Sequence, residues 1–367
     1  MNDPIVREWS ESIQDAGRRS DKISLQGSGS HVRILGPPQA PVLSTRAYRG
    51  IIRHDPEELY VRVRAGTPVS ELMAVLKEHQ QMLSFEPPIW SSEGTVGGMI
   101  ATGIAGPRRM ASGPVRDSLL GVKVLDGRGR ILEFGGSVIK NVAGYDASRI
   151  YAGSLGQLGL ILEVVLRVQP CPDLSLTLTG HASIGDFMRV LAEVRRRPWP
   201  VDASAFLGED AGQVWFRLQG SPTAVQSARS QLVSMLDLEP MAAEGAEVLW
   251  LNMATKSLQG LPDFEDPHQT LWRLSVPPQT PEFRGTGPSL IEWHGGLRWL
   301  WGVGWEQVAL LSSQSGGWGS RFGWCPDASH CWPSTHGDPV VENLARRIKL
   351  TLDPDEVFLL HGEGIQA

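Results

Sequence analysis

Three glycine clusters in the first half of the chain constrain its fold more than any other feature. They are QGSGS at 26–30, GTVGGMIATGIAG at 94–106 and GSLGQLG at 153–159. Glycine has no Cβ atom, so it permits turns with positive φ and a close approach of the backbone to another group. Successive N–H groups in such turns also form concavities that bind anions. We therefore expect the three clusters to contact one long ligand with a diphosphate in its middle.

The clusters match no common nucleotide-binding motif. No G-x-x-x-x-G-K-[ST] sequence is present, which excludes a P-loop. No G-x-G-x-x-G stands at a strand-to-helix turn, which disfavours a Rossmann site. The clusters contain no Lys or Arg, so backbone N–H groups would hold the phosphates, assisted by Arg108 and Arg109 just after the second cluster.

The composition indicates about two domains and no nucleic-acid partner. The chain has 367 residues and a net charge of −6, without a basic stripe. The N-terminus is polar, and no apolar run approaches the roughly 20 residues that a membrane span needs. We expect a cytoplasmic protein without a membrane span of its own, held at most at the inner face of the cytoplasmic membrane through partner chains.

The cysteines favour neither a disulfide framework nor a metal site. Three scattered cysteines fit a reducing compartment. The segment 325–336 combines Cys325, His330, Cys331 and His336, but this spacing matches no standard zinc site. We therefore expect no metal. Neither G-x-S-x-G nor H-E-x-x-H is present, so the hydrolase templates have no support.

Hydrophobic patterns in the first part predict strands and one clear helix. The alternation at 59–66 predicts a half-buried strand, followed by a helix with Thr67 as its N-cap and Pro68 at its first position. Asp126-Gly127 predicts a hairpin within 121–134. The β-branched run at 158–168 predicts a buried strand. The proline-rich segment 169–173 predicts a domain boundary, with domains at 1–170 and 173–367.

The second domain is predicted to be ferredoxin-like. Strands at 174–180, 203–208, 213–220 and 271–277 alternate with two helices in the order β-α-β-β-α-β. Ser183 and Ser221 are the predicted N-caps of the helices, and 290–302 predicts a further hairpin. Eleven of the thirteen tryptophans lie at or after residue 199. Their concentration fits either a packed core or an aromatic interface with a partner chain.

Residues 93–170 closely resemble the FAD-binding domain of the vanillyl-alcohol oxidase / p-cresol methylhydroxylase (PCMH-type) family. Within that family the chain is most similar to the E subunits of bacterial glycolate oxidase. The resemblance covers roughly residues 20 to 358. The motifs that carry it are QGSGS (26–30), VRAGTPVSEL (63–72), GPRR (106–109), VRDSLLG (115–121), KNVAGYD (140–146), GSLGQLG (153–159), LWRLSVP (271–277) and LIEWHGGLRWL (290–300).

The resemblance implies an α+β fold, with a two-lobed PCMH-type FAD-binding domain followed by a ferredoxin-like cap domain. It implies non-covalent FAD, since no family-type histidyl or cysteinyl attachment is evident, although His31 follows the first cluster. The FAD-contacting residues that it implies are Gly27, Ser28, Gly29 and Ser30 at the pyrophosphate; Thr95, Val96, Gly97, Gly98, Thr102 and Gly103 at the diphosphate and ribityl chain; Gly106, Ser112, Val115 and Asp117 beyond them; and Gly159 and Ile161 near the adenine.

The implied function is that of the FAD-binding subunit of a glycolate oxidase complex. The complex would oxidise glycolate, or a related 2-hydroxy acid, to glyoxylate and pass electrons through flavin to an iron–sulfur subunit, with a second FAD subunit present. Such a reaction needs a base for the hydroxyl proton and a cation for the carboxylate. The sequence identifies neither with certainty. The candidates are Arg109, Arg298 and Arg321 as carboxylate clamps and His294, His336 and His361 as bases, and a structural role is favoured for each.

Two departures from the family pattern keep alternatives open. Related subunits end in DP-x-x-x-F-N-P-G-R, whereas LDPDEVF at 352–358 is followed here by Leu359, Leu360, His361 and Gly362. Trp318 in SGGWGSRF (315–322) replaces a histidine of the relatives. The alternatives are a stand-alone FAD-dependent 2-hydroxy-acid dehydrogenase and a non-catalytic scaffold subunit with a degenerate FAD site.

Overall fold

A computed structural model describes residues 3–136, 147–264, 266, 268–324 and 339–359. The chain divides into two compact units. The first unit holds the residues up to Ile104, Pro114–Pro170 and the C-terminal segment that includes residues 339–359. The second unit holds Ala105–Gly113 and the residues from Cys171 onward to the end of its last strand.

The helices fall into both units and are short near the glycine clusters. In chain order they are α1 (Pro4–Arg19), α2 (Val32–Leu35), α3 (Val69–Glu78), α4 (Val96–Thr102), α5 (Arg109–Ser112), α6 (Val115–Ser118), α7 (Ile184–Arg196), α8 (Pro222–Met235), α9 (Ala243–Thr255), α10 (Trp305–Ser315) and α11 (Pro339–Leu352). Two 3₁₀ turns span Ala147–Tyr151 and Trp293–Gly295. Among the residues that the structure describes, no helix has the length and hydropathy needed to cross a membrane.

The strands are mostly antiparallel. In chain order they are β1 (Ser24–Gln26), β2 (Val42–Ser44), β3 (Ile51–Asp55), β4 (Tyr60–Arg64), β5 (Gln81–Met82), β6 (Leu119–Leu125), β7 (Ile131–Gly135), β8 (Leu160–Arg167), β9 (Gln169–Pro170), β10 (Leu174–Ser183), β11 (Val201–Gly208), β12 (Ala211–Gly220), β13 (Leu238–Pro240), β14 (Leu271–Ser275), β15 (Ser289–Glu292), β16 (Leu297–Leu300) and β17 (Trp318–Phe322).

The first unit is built on a five-stranded antiparallel sheet in the order β3-β4-β8-β6-β7, with a separate parallel pair β1-β2. Helix α1 begins at Asp3, whose side chain accepts a hydrogen bond from the Ile5 N–H. Its buried face presents Trp9 and Ile13 to the core. The predicted strands at 59–66 and 158–168 are confirmed as β4 and β8, and the Asp126-Gly127 hairpin is confirmed as β6-β7.

The predicted cap of α3 is wrong by one residue. Helix α3 begins at Val69 with Pro68 at the cap position, and no side-chain cap bond is made there. The Thr67 hydroxyl oxygen instead accepts from the Gly50 N–H at 2.8 Å. Thr67 therefore ties the start of α3 to the loop before β3, because that loop leaves a backbone donor facing it.

The second unit contains an eight-stranded antiparallel sheet in the order β13-β10-β12-β11-β15-β16-β14-β17. Its first four strands, with α7 and α8, have the β-α-β-β-α-β connectivity of a ferredoxin-like fold. The aromatic core under these helices includes Phe187, Phe206 and Phe216. The ferredoxin-like prediction is confirmed, but its fourth strand is β13 rather than 271–277. Residues 271–275 form β14, which pairs with β16 and β17 in the other half of the sheet.

Local sequence signals in this unit agree with the structure. The Ser183 hydroxyl accepts from the Asp186 N–H at 3.0 Å and caps α7. The Ser221 hydroxyl accepts from the Ala224 N–H at 3.4 Å and caps α8. The hairpin predicted at 290–302 is confirmed as β15-β16. Several of the clustered tryptophans are buried in this unit: Trp215, Trp250, Trp272, Trp293 and Trp299.

The division into units differs from the predicted one at two segments. Residues 105–113 belong to the second unit, and α11 with the tail after it belongs to the first. The tail returns because Ile23 pairs with it: the Ile23 N–H donates to Val357 O at 2.8 Å, and the Leu359 N–H donates to Ile23 O at 3.0 Å. Such a pairing joins residues more than three hundred positions apart, and no local pattern could have predicted it.

Candidate FAD-binding site

All three glycine clusters line one cavity in the first unit. The cavity wall also draws on the residues around each cluster, and most of it is backbone or small side chains. Its lining residues are Leu25, Gln26, Gly27, Ser28, Gly29, Ser30, His31, Val32, Leu35, Gly36, Thr45, Thr95, Gly97, Gly98, Ala101, Thr102, Leu155, Gly156, Gly159, Leu160 and Ile161. Ten of the residues that the sequence assigned to cofactor binding are among them.

The first cluster forms a tight turn between β1 and α2 that only glycine can build. A Cβ atom on Gly27 would lie 2.1 Å from the Thr95 Oγ1 atom. Gly29 has φ +81°, and a Cβ atom there would lie 2.4 Å from the Gln26 Nε2 atom. Both glycines therefore let the turn press against neighbouring groups that a side chain would displace.

This turn offers hydrogen-bond donors that the fold does not use. Within the described ranges, the N–H groups of residues 27–30 donate to no protein acceptor. The Ser28 Oγ atom is buried in the turn and also has no partner there. A buried hydroxyl without a partner costs free energy, on the order of 1–3 kcal/mol. A ligand rich in acceptor oxygens, such as a diphosphate, fits this turn because it would satisfy both kinds of donor.

The second cluster has a different role from the expected one. Thr95 is the N-cap of α4, and its Oγ1 atom accepts from the Gly98 N–H at 3.2 Å. The Val96 N–H donates to Thr67 O at 2.9 Å, and the Gly97 N–H donates to Ala65 O at 2.8 Å. The first N–H groups of α4 are thus used inside the fold. The sequence predicts that these groups donate to phosphate, whereas in the structure they join the start of α4 to the backbone of Ala65 and Thr67.

Gly97 and Gly98 face different surroundings although they are adjacent. A Cβ atom on Gly97 would lie 2.9 Å from Ala65 Cβ and 3.1 Å from Ala65 O, so Gly97 allows α4 to pack on the end of β4. A Cβ atom on Gly98 would lie 3.3 Å from Thr95 Oγ1 and 3.4 Å from His31 Nδ1. An added Cβ atom on Gly98 would therefore point towards the cavity, whereas one on Gly97 would point towards Ala65, although the Gly97 backbone also lines the cavity.

The third cluster closes the cavity from behind α4. The Gly153 N–H donates to Ile100 O at 3.0 Å, and the Leu155 N–H donates to Ala101 O at 2.8 Å. Gly159 has φ +141°, and a Cβ atom there would lie 2.6 Å from Leu125 O. The cluster thus holds the helix and β8 at a fixed separation, and Ile161 continues the wall along β8.

His31 is a cavity residue that the sequence did not assign. Its Nδ1 atom lies 3.4 Å from Ser30 Oγ, its Nε2 atom lies 3.5 Å from Thr102 Oγ1, and its ring packs edge-on against Trp90. Burial, with a smaller contribution from Arg33, lowers the pKa of His31 to about 4. The ring is therefore neutral at physiological pH. Its position directly after the QGSGS turn was the only signal that pointed to it.

Six of the assigned residues lie outside the cavity wall. In the first unit, Val96 and Val115 are buried in the core, Gly103 approaches Gly153, and Asp117 pairs with Arg149 at 3.3 Å. Two belong to the second unit: Gly106 O accepts from Trp293 Nε1 at 3.0 Å, and Ser112 Oγ donates to Arg108 O at 3.0 Å. These residues support the fold rather than line the cavity.

His294 is held as a structural residue. Its Nδ1 atom lies 2.8 Å from Ser204 Oγ, and it also hydrogen-bonds to the backbone of Val201. The backbone at His294 has φ +52°, an uncommon value for a non-glycine residue. Burial lowers the pKa of His294 to about 4. With its ring bonded inside the second unit, His294 is not presented to a ligand as a base.

Arg298 is structural as well. Its Nε atom donates to Gly295 O at 2.9 Å, and its Nη2 atom donates to Thr280 O at 2.8 Å. Burial lowers the pKa of this guanidinium to about 10. Arg321 Nη2 lies 3.5 Å from Gln269 O, and the Arg109 guanidinium stacks on Trp293. The candidates His336 and His361 lie outside the described residues.

No metal centre is found among the residues that the structure describes. No group of three or more His, Cys, Asp or Glu side chains is placed there to hold an ion. Cys325, His330, Cys331 and His336 lie outside that part of the chain, so the prediction for them stays a prediction. Cys171 is a free, exposed cysteine.

Comparisons with known proteins identify the family of the chain. A family profile described as "FAD binding domain" matches residues 6–135. The chain is 38% identical to glycolate oxidase subunit GlcE of Escherichia coli strain K12 over 313 residues, which are 85% of each chain. It is 32% identical over 139 residues to glycolate oxidase subunit GlcD of Bacillus subtilis, covering 37% of this chain and 29% of that one. It is 27% identical to a D-lactate dehydrogenase of Archaeoglobus fulgidus, covering 66% of this chain and 54% of that one.

Solved structures extend the comparison to the fold. An alkyldihydroxyacetonephosphate synthase matches 96% of this chain and 74% of its own, with a TM-score of 0.67 and 15% identity. The profile and the fold define a PCMH-type FAD-binding domain, and the sequence relatives make the chain a flavoprotein oxidoreductase. Within that class, the chain belongs to the GlcE family of glycolate oxidase chains.

Proposed function

We propose that this chain is the FAD-binding subunit of a glycolate oxidase complex, which oxidises glycolate to glyoxylate or a related 2-hydroxy acid to the corresponding 2-oxo acid. Relatives named for glycolate, D-lactate and D-2-hydroxyglutarate support the substrate class, because these compounds share a hydroxyl group next to a carboxylate. The observation that carries the proposal is the turn at residues 27–30, where unused N–H groups surround the buried, unpaired Ser28 hydroxyl.

The turn would hold the FAD diphosphate through dipoles rather than charges. Residues 27–30 supply the N–H groups, and Ser28 Oγ supplies one more donor. His31, neutral because its pKa is lowered to about 4, lines the same cavity without adding a cation. Preorganised dipoles in a shielded cavity bind an anion well because they need no reorientation. When bound, FAD supplies the two-electron acceptor that amino-acid side chains lack.

The chain lacks the cysteines that an iron–sulfur cluster needs. A typical iron–sulfur cluster is held by four cysteines, and the whole sequence has three, widely scattered. We propose that electrons leave through an iron–sulfur partner, and such a cluster would have to be held by that partner chain. The similarity to both the GlcE and the GlcD chains of glycolate oxidases supports a second FAD subunit built on the same fold.

The test is the absorbance spectrum of the purified full-length chain, alone and with its co-purified partners, before and after glycolate is added. We expect flavin absorbance from the chain alone, and bleaching by glycolate when the partners are present. A colourless chain that does not take up added FAD would contradict the proposal and favour a scaffold. Full turnover of glycolate by the chain alone would favour the stand-alone dehydrogenase.

Ser28→Ala makes the test specific to the turn. In the FAD-free chain it removes an unpaired buried hydroxyl, so we expect unchanged or slightly higher stability. FAD affinity should fall about tenfold, as for the loss of one hydrogen bond to a charged group. Ser12→Ala is the matched control, since the Ser12 hydroxyl is exposed on α1 and bonds only to Glu8 O. Equal FAD affinity in both variants would remove Ser28 from the site.

A further inference from the structure

Lys349 on α11 joins two separate segments of the first unit. Its Nζ atom donates to Gln157 O and to Phe358 O, each at 2.9 Å, and forms an ion pair with the Asp353 carboxylate. An ammonium has three N–H donors, and these three acceptors match them. Gln157 belongs to the third glycine cluster, whereas Phe358 belongs to the C-terminal tail after α11. One side chain therefore holds the cluster and the tail together.

Asp353 fixes the tail where Lys349 meets it. Its side chain is fully buried, and its two oxygens accept from the Val357 N–H and the Phe358 N–H, each at 2.9 Å. The ammonium of Lys349 compensates this charge, since a buried carboxylate without a cation is costly. The carboxylate that pairs with Lys349 thus also positions the Phe358 carbonyl that Lys349 contacts.

The tail continues this connection to the first glycine turn. The Ile23 N–H donates to Val357 O at 2.8 Å, and Ile23 is followed directly by β1, whose last residue begins the QGSGS segment. The side chains of Val357 and Phe358 are buried in the same hydrophobic cluster as Ile23. Asp353 therefore fixes the segment against which the start of β1 is aligned.

Gln157 lies in a turn that forms another part of the cavity wall. Gly156, directly before it, lines the cavity. A Cβ atom on Gly156 would lie 3.4 Å from Leu25 Cβ, so this turn lies against β1. Neither member of the Lys349–Asp353 ion pair lines the cavity. The pair can therefore act on a ligand only through the two segments that do.

We propose that Lys349 and Asp353 are positioning residues for FAD, because together they hold the third glycine cluster at the spacing from the first glycine turn that the cofactor requires. This inference rests on the proposed function and deepens it, since it names residues outside the cavity that set the cavity's shape. Groups that bind a ligand need supporting contacts that keep them in the productive geometry. Here the support is an ammonium restrained from three directions.

The experiment measures the FAD affinity of the full-length chain by equilibrium dialysis. Lys349→Met keeps an unbranched side chain but removes the ammonium. FAD affinity should fall about tenfold, as for groups that only orient the ligands of a metal. The matched control is Lys22→Met. Lys22 also donates to the tail, at Glu356 O, but it is exposed. It should bind FAD like the wild type, and equal affinity in the two variants would overturn the inference.

A double variant separates positioning from stability. Lys349→Met leaves the Asp353 carboxylate buried without its cation and should lower the free energy of unfolding. Adding Asp353→Asn removes that charge, so the double variant should recover part of the stability without restoring the bond to Gln157. Its FAD affinity should stay low. A double variant that regained wild-type affinity as its stability recovered would overturn the inference, because affinity would then follow stability alone.

Amide hydrogen exchange of the FAD-free chains locates the change. In Lys349→Met and in the double variant, exchange should be faster than in the wild type at residues 155–159 and unchanged at residues 162–166 of β8. Uniformly faster exchange across the first unit would show a global loss of stability and would also overturn the inference. Failure of the proposed function is seen separately, as a wild-type chain that binds no FAD.

Discussion

Thr95 Oγ1 stands 2.1 Å from the place where a Cβ atom on Gly27 would lie. The same oxygen caps α4 by accepting from the Gly98 N–H. The first glycine turn and the start of α4 are thus fitted to each other through one hydroxyl group. A substitution in the glycine turn should therefore disturb the start of α4, and a substitution at Thr95 should disturb the turn.

Gly27→Ala should therefore destabilise the first unit as well as weaken FAD binding. Overpacking of this kind costs about 1–3 kcal/mol, and the displaced Thr95 hydroxyl would lose its cap bond, worth about 1 kcal/mol. Thr95→Ala in the same chain removes the colliding oxygen. Urea unfolding of both single variants and the double variant forms a mutant cycle. Strictly additive losses would show that the two residues are not coupled.

Gly97 and Gly98 should separate folding from cofactor binding. Gly97→Ala places a methyl group 2.9 Å from Ala65 Cβ and should lower the unfolding temperature. Gly98→Ala meets only ordinary or slightly tight neighbours and gains helix propensity of up to about 1 kcal/mol. It should keep its stability but lose FAD affinity, which equilibrium dialysis measures. The same unfolding temperature and the same FAD affinity in both variants would contradict this assignment.

His294 should make stability depend on pH. Its pKa is about 4 in the folded chain and near 6.5 when unfolded, so the unfolded chain binds more protons between these values. Stability should therefore fall as the pH drops from about 6.5 towards 4. His294→Asn tolerates the positive φ and cannot titrate, so its stability should fall less over this window. Parallel curves for wild type and variant, from unfolding at pH 5 and pH 7, would contradict this role.

The Lys256–Glu292 ion pair should be costly to break from one side. Both side chains are buried, and Glu292 Oε2 also accepts from Trp299. Glu292→Gln leaves the ammonium uncompensated and should cost about 3–5 kcal/mol of unfolding free energy. Lys256→Met with Glu292→Leu removes both charges and should recover much of this loss. A double variant that is less stable than Glu292→Gln would contradict this prediction. It would show that the ion pair stabilises the fold more than the two apolar side chains that replace it.

Local patterns predicted the local structure well. The alternation in β4 and the caps at Ser183 and Ser221 depend on neighbours within a few residues, and the structure confirms them. The fourth ferredoxin-like strand, Leu238–Pro240, is too short to show any alternation. The alternation at 271–277 is longer, so the sequence alone favours it as the fourth strand.

The sequence predicted which backbone segments form the candidate site, but it did not predict their hydrogen-bond partners. The glycine clusters indicated where backbone must come close to other groups. The sequence could not show that Ala65 and Thr67 occupy the first N–H groups of α4, because those acceptors lie about thirty residues earlier.

The return of the C-terminal tail to Ile23 sets an order for assembly in the cell. Ile23 immediately precedes β1, the strand that leads into the glycine turn, and it pairs with Phe358. A ribosome releases the N-terminal segment long before the tail exists. The partner of Ile23 is therefore among the last residues to be synthesised, and we expect FAD to be captured only after release. A chain truncated after Leu352 should retain less FAD than the full chain, and full retention would show that FAD binding does not need the tail.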